Sequence, residues 1–192
     1  MTINNIGAIA SLELPSGWEE RSAQPQGLGS RWERRYAPRG FDEVELVFSY
    51  RGVPIDEASR KVFAYILSQA PREVSREEIL ALRTVMGVAT VGDNQMTNPN
   101  QPGTLEGPAF VLDAASTLKV NNKSVLCVDG SFRNGAIFAG IFYPAGTAGM
   151  IVEEMFLQSR TEEEHRKYLP VFFNCIKSIA WQPSAMPLSS IR

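Results

Sequence analysis

Between Phe110 and Trp181 the apolar and polar positions fall into four strand-like runs followed by one helical stripe. Asn121-Asn122 and Asn134-Gly135 separate apolar runs, and both pairs tolerate the positive φ that a tight hairpin turn needs. Over 123–133, Val125 and Cys127 share one face while Leu126, Val128 and Phe132 share the other. The run 136–143 is apolar on both sides, Phe138 and Phe142 against Ile137 and Ile141, which predicts a central strand covered on both faces. A fourth strand is expected over 150–157, with Glu153 and Glu154 marking partial exposure. Thr161 and Glu164 then form a capping box. Its helix continues through Leu169, Phe172, Phe173, Ile176 and Ile179, and Pro170 is expected to kink or break it.

The first half of the chain alternates more simply. Residues 8–14 predict a strand stopped by Pro15-Ser16-Gly17. In 30–36, Trp32, Arg34 and Tyr36 oppose Arg31, Glu33 and Arg35. In 43–51, Val44, Leu46, Phe48 and Tyr50 point inward, with Glu43, Glu45, Ser49 and Arg51 mostly outward. Period two with one polar face predicts half-buried strands, and Gly40 makes the turn between them. Asp56 is a plausible N-cap for a helix to about residue 69, with Ala58, Val62, Tyr65 and Ile66 on one stripe. Ser75 and Glu78 form another capping box, leading a shorter helix with Ile79, Leu82 and Met86 as its stripe and Gly87 as its stop. Residues 92–108 are rich in Gly, Asn, Gln, Thr and Pro and read as a long surface loop, either plain disorder or a partner-binding segment.

Composition changes this picture little. The chain has 192 residues, 44% hydrophobic and 21% charged, within the range of one globular domain. Nineteen basic against 21 acidic residues give a net charge of -2. No basic field is present for a nucleic-acid backbone, so no nucleic-acid partner is expected. The start, Met1-Thr2-Ile3-Asn4-Asn5, has no charged and apolar leader pattern, and no run approaches a membrane span. Cys127 and Cys175 sit among apolar residues, as buried free thiols do, and a cytoplasmic location is expected.

Candidate chemistry is sparse. His165 is the single histidine; a Cys-His pair with Cys127 would require strand and helix to bring the two together. Glu153 and Glu154 point to opposite faces of a strand and cannot share a proton or metal ion. Asp113 and Asp129 lie mid-strand, and if buried need a partner such as Lys119 or Arg133. No phosphate loop, dinucleotide fingerprint or metalloprotease motif occurs. No catalytic, cofactor-binding or metal-binding residue is assigned.

Two short motifs, with the order of elements, resemble the PsbP-like superfamily. They are Leu14-Pro15-Ser16-Gly17-Trp18 after the opening strand and Ile176-Lys177-Ser178-Ile179-Ala180-Trp181 closing the last helix, preceded by Tyr168-Leu169-Pro170. That superfamily includes an extrinsic photosystem II subunit, a Ran-binding import factor and bacterial chaperones of secreted effectors. The resemblance implies a domain that binds other proteins and lacks catalysis.

The expectation is therefore one α+β domain over 1–181 with a loosely ordered tail over 182–192. Its antiparallel sheet of about six or seven strands carries helices on both faces, as an α/β/α sandwich. The expected function is a non-catalytic interaction module, such as an assembly factor, adaptor or chaperone-like protein, whose partner is another protein. Its surface is expected at Asn94, Met96 and Leu105 or at Arg31 and Arg35. One alternative is a small-molecule binder or enzyme with a pocket lined by Phe138, Phe142 and Phe172. The other is a homodimer through an uncovered edge strand.

Overall fold

Local sequence signals set the ends of both complete helices in the computed structural model, which describes residues 1–25, 32–50, 55–81, 110–132, 135–146, 149 and 151–183. Helix α1 (Glu57–Ser68) begins at Asp56, whose carboxylate accepts from the Ser59 N–H. Helix α2 (Glu162–Lys177) begins at Thr161, whose hydroxyl accepts from the Glu164 N–H at 3.3 Å. The Ser75 box also forms: Glu78 N–H donates to Ser75 Oγ at 3.3 Å, and Ser75 N–H to the Glu78 carboxylate at 2.9 Å. It opens helical residues 76–81; Leu82, Met86 and Gly87 lie outside the described residues.

The strands are β1 (Thr2–Ile6), β2 (Ile9–Glu13), β3 (Trp18–Pro25), β4 (Trp32–Pro38), β5 (Val44–Tyr50), β6 (Arg72–Glu73), β7 (Phe110–Val120), β8 (Lys123–Phe132), β9 (Ile137–Ala145), β10 (Ile151–Ser159) and β11 (Ala180–Trp181). Eight of them form one sheet in the order β3-β4-β5-β10-β9-β8-β7-β6, and three form a second in the order β1-β2-β11. Every pairing is antiparallel. The α+β class with antiparallel pairing is as expected; the strand count is not. The sequence reading missed β1, whose buried Ile3 and Ile6 are three apart and break the period of two. It also missed β3, which is strongly polar, and two-residue β6 and β11, which are too short to carry a pattern.

Alternation along the central strands builds two separate cores. Val125 and Cys127 of β8, Ile141 and Tyr143 of β9, and Met155 and Leu157 of β10 cluster with Ile3, Ile6, Ile9 and Leu12 of the small sheet and with Phe172, Cys175 and Ile176 of α2. Leu126, Val128, Phe138, Phe142 and Phe156 cluster instead with Phe63, Ile66 and Leu67 of α1. Strand β9 is thus apolar on both sides because both of its faces are packed.

Several positions depart from the expected pattern. The buried stripe of α1 is Phe63, Ile66 and Leu67, and Tyr65 is 61% exposed. A helix with apolar residues on more than one side cannot announce which side it buries. Pro170 lies inside an unbroken α2. Both Pro170 and Arg166 are exposed, so the Arg166 carbonyl that loses its helical partner is on the solvent side. Glu153 and Glu154 are not partly exposed but each 4% accessible, and Glu33 and Ser49, expected on an outward face, are buried as well. Glu33 pairs with Arg35, which also reaches Glu45 at 2.9 Å. Such pairing is what makes a buried carboxylate tolerable.

Candidate functional site

The face of β7, β8 and β9 that packs under α2 turns polar toward one end. Successive cross-strand pairs there are Cys127 with Ile141, Asp129 with Ala139, and Ser131 with Ile137. Neighbouring pairs of this face are two residues apart, about 7 Å along the strand. Each of the last two steps borders a cavity. One of about 160 Å³ is lined by Leu118, Cys127, Asp129, Phe172 and Phe173. A wider, solvent-open cleft of about 410 Å³ is lined by Asp113, Ser131, Ile137, Glu162, His165 and Arg166. Val111, 48% exposed, sits directly opposite Ser131 at its rim. A bulge between Leu112 and Ala114 interrupts the β7–β8 register and brings Asp113 to this place.

The charges of the cleft are unevenly matched. Glu162 and Arg166 pair one helical turn apart at 2.9 Å. Asp113 and Asp129 form no ion pair among the described residues. Lys119 is exposed and is not the partner expected for them; Arg133 lies outside the described residues. Asp129 is exposed as a residue, yet the protein around its carboxyl partly desolvates it and pushes its pKa up; the His165 ring opposes this, and the Asp113 charge adds to it. Burial lowers the pKa of His165, with Asp129 acting against the shift. The His165 Nδ1 is buried without a hydrogen-bond partner among the described residues. A carboxyl group whose charge is disfavoured, beside a half-buried imidazole, is a frequent mark of a working surface.

The nearby thiol is not part of a reactive pair. Burial, and secondarily the Asp129 charge, pushes Cys127 up to about 12, and burial pushes Cys175 up to about 11. Both are thiols rather than thiolates at neutral pH, and the thiolate is the nucleophile. His165 faces Asp129, not an ionised sulfur.

Other expected sites fare differently. Arg31, Asn94, Met96 and Leu105 lie outside the described residues. Arg35 is engaged by Glu33 and Glu45 and is not a free cation. The expected aromatic pocket is not assembled: Phe138 and Phe142 belong to the core beneath α1, and Phe172 to the core beneath α2. The sheet itself separates them. The sequence reading did single out Asp129, Asp113 and His165, but could not place them together, because the strand register and the packing of α2 decide that. Among the described residues, no group of three or more His, Cys, Asp or Glu is placed to hold a metal ion, and no helix is long and apolar enough to cross a membrane.

No protein-family model matches the chain, and no curated protein is significantly similar to it.

Proposed function

We propose that the chain is a non-catalytic protein-interaction module, an assembly factor, adaptor or chaperone-like protein, that holds its partner in the cleft between β7–β9 and the start of α2. The observation carrying this reading is the cleft itself. It sets the Asp113 carboxylate, which has no ion pair among the described residues, near an exposed valine at an open sheet end, with Asp129 on the adjoining smaller cavity and Cys127 held as an unreactive thiol. Mixed polar and apolar character open to solvent suits a macromolecular surface. The layering supports the same reading: α1 and α2 belong to different cores, which accords with an α/β/α sandwich and with the PsbP-like resemblance. Fold likeness carries no function alone, so the proposal rests on the cleft.

A small-molecule site is the second reading, because a volume of about 410 Å³ is within the range of ligand pockets. The wide mouth favours the first, since small-ligand sites enclose most of the ligand surface. A homodimer through β3, an outer strand of the eight-stranded sheet, would show itself as capture of a second copy of this chain.

Affinity capture from source cells, read by quantitative mass spectrometry, tests the leading reading. Wild-type protein should retain a defined partner, and Val111→Asp should lose it by about tenfold or more, a difference of about 1.4 kcal/mol. Equal capture by a folded Val111→Asp variant would refute the placement.

A further inference from the structure

We propose that the cleft recognises an extended basic segment of the partner protein, a Lys or Arg side chain lodging between Asp113 and Asp129 and an apolar side chain two residues on entering the cavity beside Phe172 and Phe173. This rests on the reading of the chain as an interaction module and names the chemistry of its partner. Charge complementarity is the first support. With Glu162 and Arg166 cancelling each other, Asp113 in the cleft and Asp129 on the adjoining cavity leave an excess of negative charge with no ion-pair partner among the described residues. A cationic side chain would supply the missing countercharge, and complementary charge favours the right partner over others.

Spacing is the second support. The cleft and the smaller cavity belong to consecutive cross-strand pairs of one face, Ser131 with Ile137 and Asp129 with Ala139. Side chains i and i+2 of an extended peptide also point the same way about 7 Å apart. The smaller cavity, about 160 Å³, is bordered by Leu118, Phe172 and Phe173 with Ser116 and Asp129; it is of the size that admits a benzene-like group, for which about 150 Å³ suffices, and Asp129 stands on its border with the cleft. A basic residue and an apolar one in alternate positions therefore match the two cavities in order.

Fluorescence anisotropy with labelled peptides tests this. The probes are peptides containing Lys-Ser-Phe, Glu-Ser-Phe or Lys-Ser-Ser, with butylammonium as a competing free cation. Wild-type protein should bind the Lys-Ser-Phe peptide about tenfold or more tightly than the other two, and added salt should weaken binding. Asp113→Asn with Asp129→Asn should abolish the preference. This variant should keep its fold, because both aspartates are exposed, and its Tm checks that. Glu57→Gln, on α1, should change nothing. Equal binding of all three peptides, or an undiminished preference in the double variant, would overturn the proposal. So would displacement by butylammonium at the same concentration as by unlabelled Lys-Ser-Phe, since the site would then read a small cation and not a segment. Failure here with loss of capture by Val111→Asp would leave the partner in this cleft with a different chemistry; retained capture would remove the placement in the cleft itself.

Discussion

Phe156→Ala should cost about 3–5 kcal/mol, the range for truncating a well-packed aromatic residue. Phe156 is 6% exposed, and its ring meets Phe142 at 5.2 Å, Phe138 at 5.5 Å and Phe132 at 6.5 Å, each near edge-to-face. On the neighbouring strand its direct partner is Gly140. A Cβ at Gly140 would run into the Phe156 ring, so the ring lies flat over backbone that has no side chain of its own. Gly140 offers no side chain to fill the void that truncation leaves on that side. For a chain of this length the loss corresponds to a fall in Tm of about 6–20 °C. Urea unfolding with an unchanged m-value would identify it as a native-state effect. Phe173→Ala, at a half-buried position of α2, should cost distinctly less. If the two variants lost the same stability, the aromatic cluster would not be the centre of the α1-side core.

Glu153→Ala should release the N-terminal hairpin and cost about 1.5–3 kcal/mol, the range for a hydrogen bond to a charged group. The Ala8 N–H donates to Glu153 Oε2 at 2.6 Å, which ties the β1–β2 turn to β10. Gly7 holds φ +55 at this turn, and a Cβ there would occupy the place of the carboxylate. Glycine is needed for both its backbone angle and its lack of bulk. The Glu153 charge also supports Lys123, whose pKa burial lowers and Glu153 restores in part. Lys123 Nζ lies 4.5 Å from the centre of the Trp181 ring, and the Trp181 indole N–H donates to the Val120 carbonyl at 2.7 Å. The first hairpin, the central sheet and β11 thus meet around one carboxylate. Glu153→Gln, which keeps an acceptor, should lose less. Hydrogen exchange at Ala8 should rise sharply in Glu153→Ala; unchanged protection there would contradict this account.

How far the sequence could be read depends on the range of the interaction. Capping signals at Ser75 and Thr161 involve residues three apart: the Ser75 box forms in both directions, and Thr161 caps the Glu164 N–H while the Glu164 carboxylate meets Lys167. The two-faced apolar run of β9 and the opposite faces of β8 follow from alternation alone. The hairpin at Asn121-Asn122 follows from residues that accept positive φ, and both do so here. Glu153 was misread because charge was taken as a sign of exposure, whereas its hydrogen-bond donor, Ala8, comes from the far end of the chain. The same holds for Glu33, whose burial depends on Arg35 and the strand beyond. The cleft was legible only as parts: unusual mid-strand aspartates and one histidine. A β7 bulge and the docking of α2 turn these parts into a site, and neither leaves a periodic trace.

The cleft as the contact surface is the claim on which the functional account depends, and site-specific photocrosslinking in cells tests it most directly. A photoreactive amino acid would be placed at Val111, on the cleft rim, or at Tyr65, a still more exposed apolar position on α1. The account predicts one discrete adduct with another protein from position 111 and none from position 65. An adduct from position 65 with none from position 111 would contradict it.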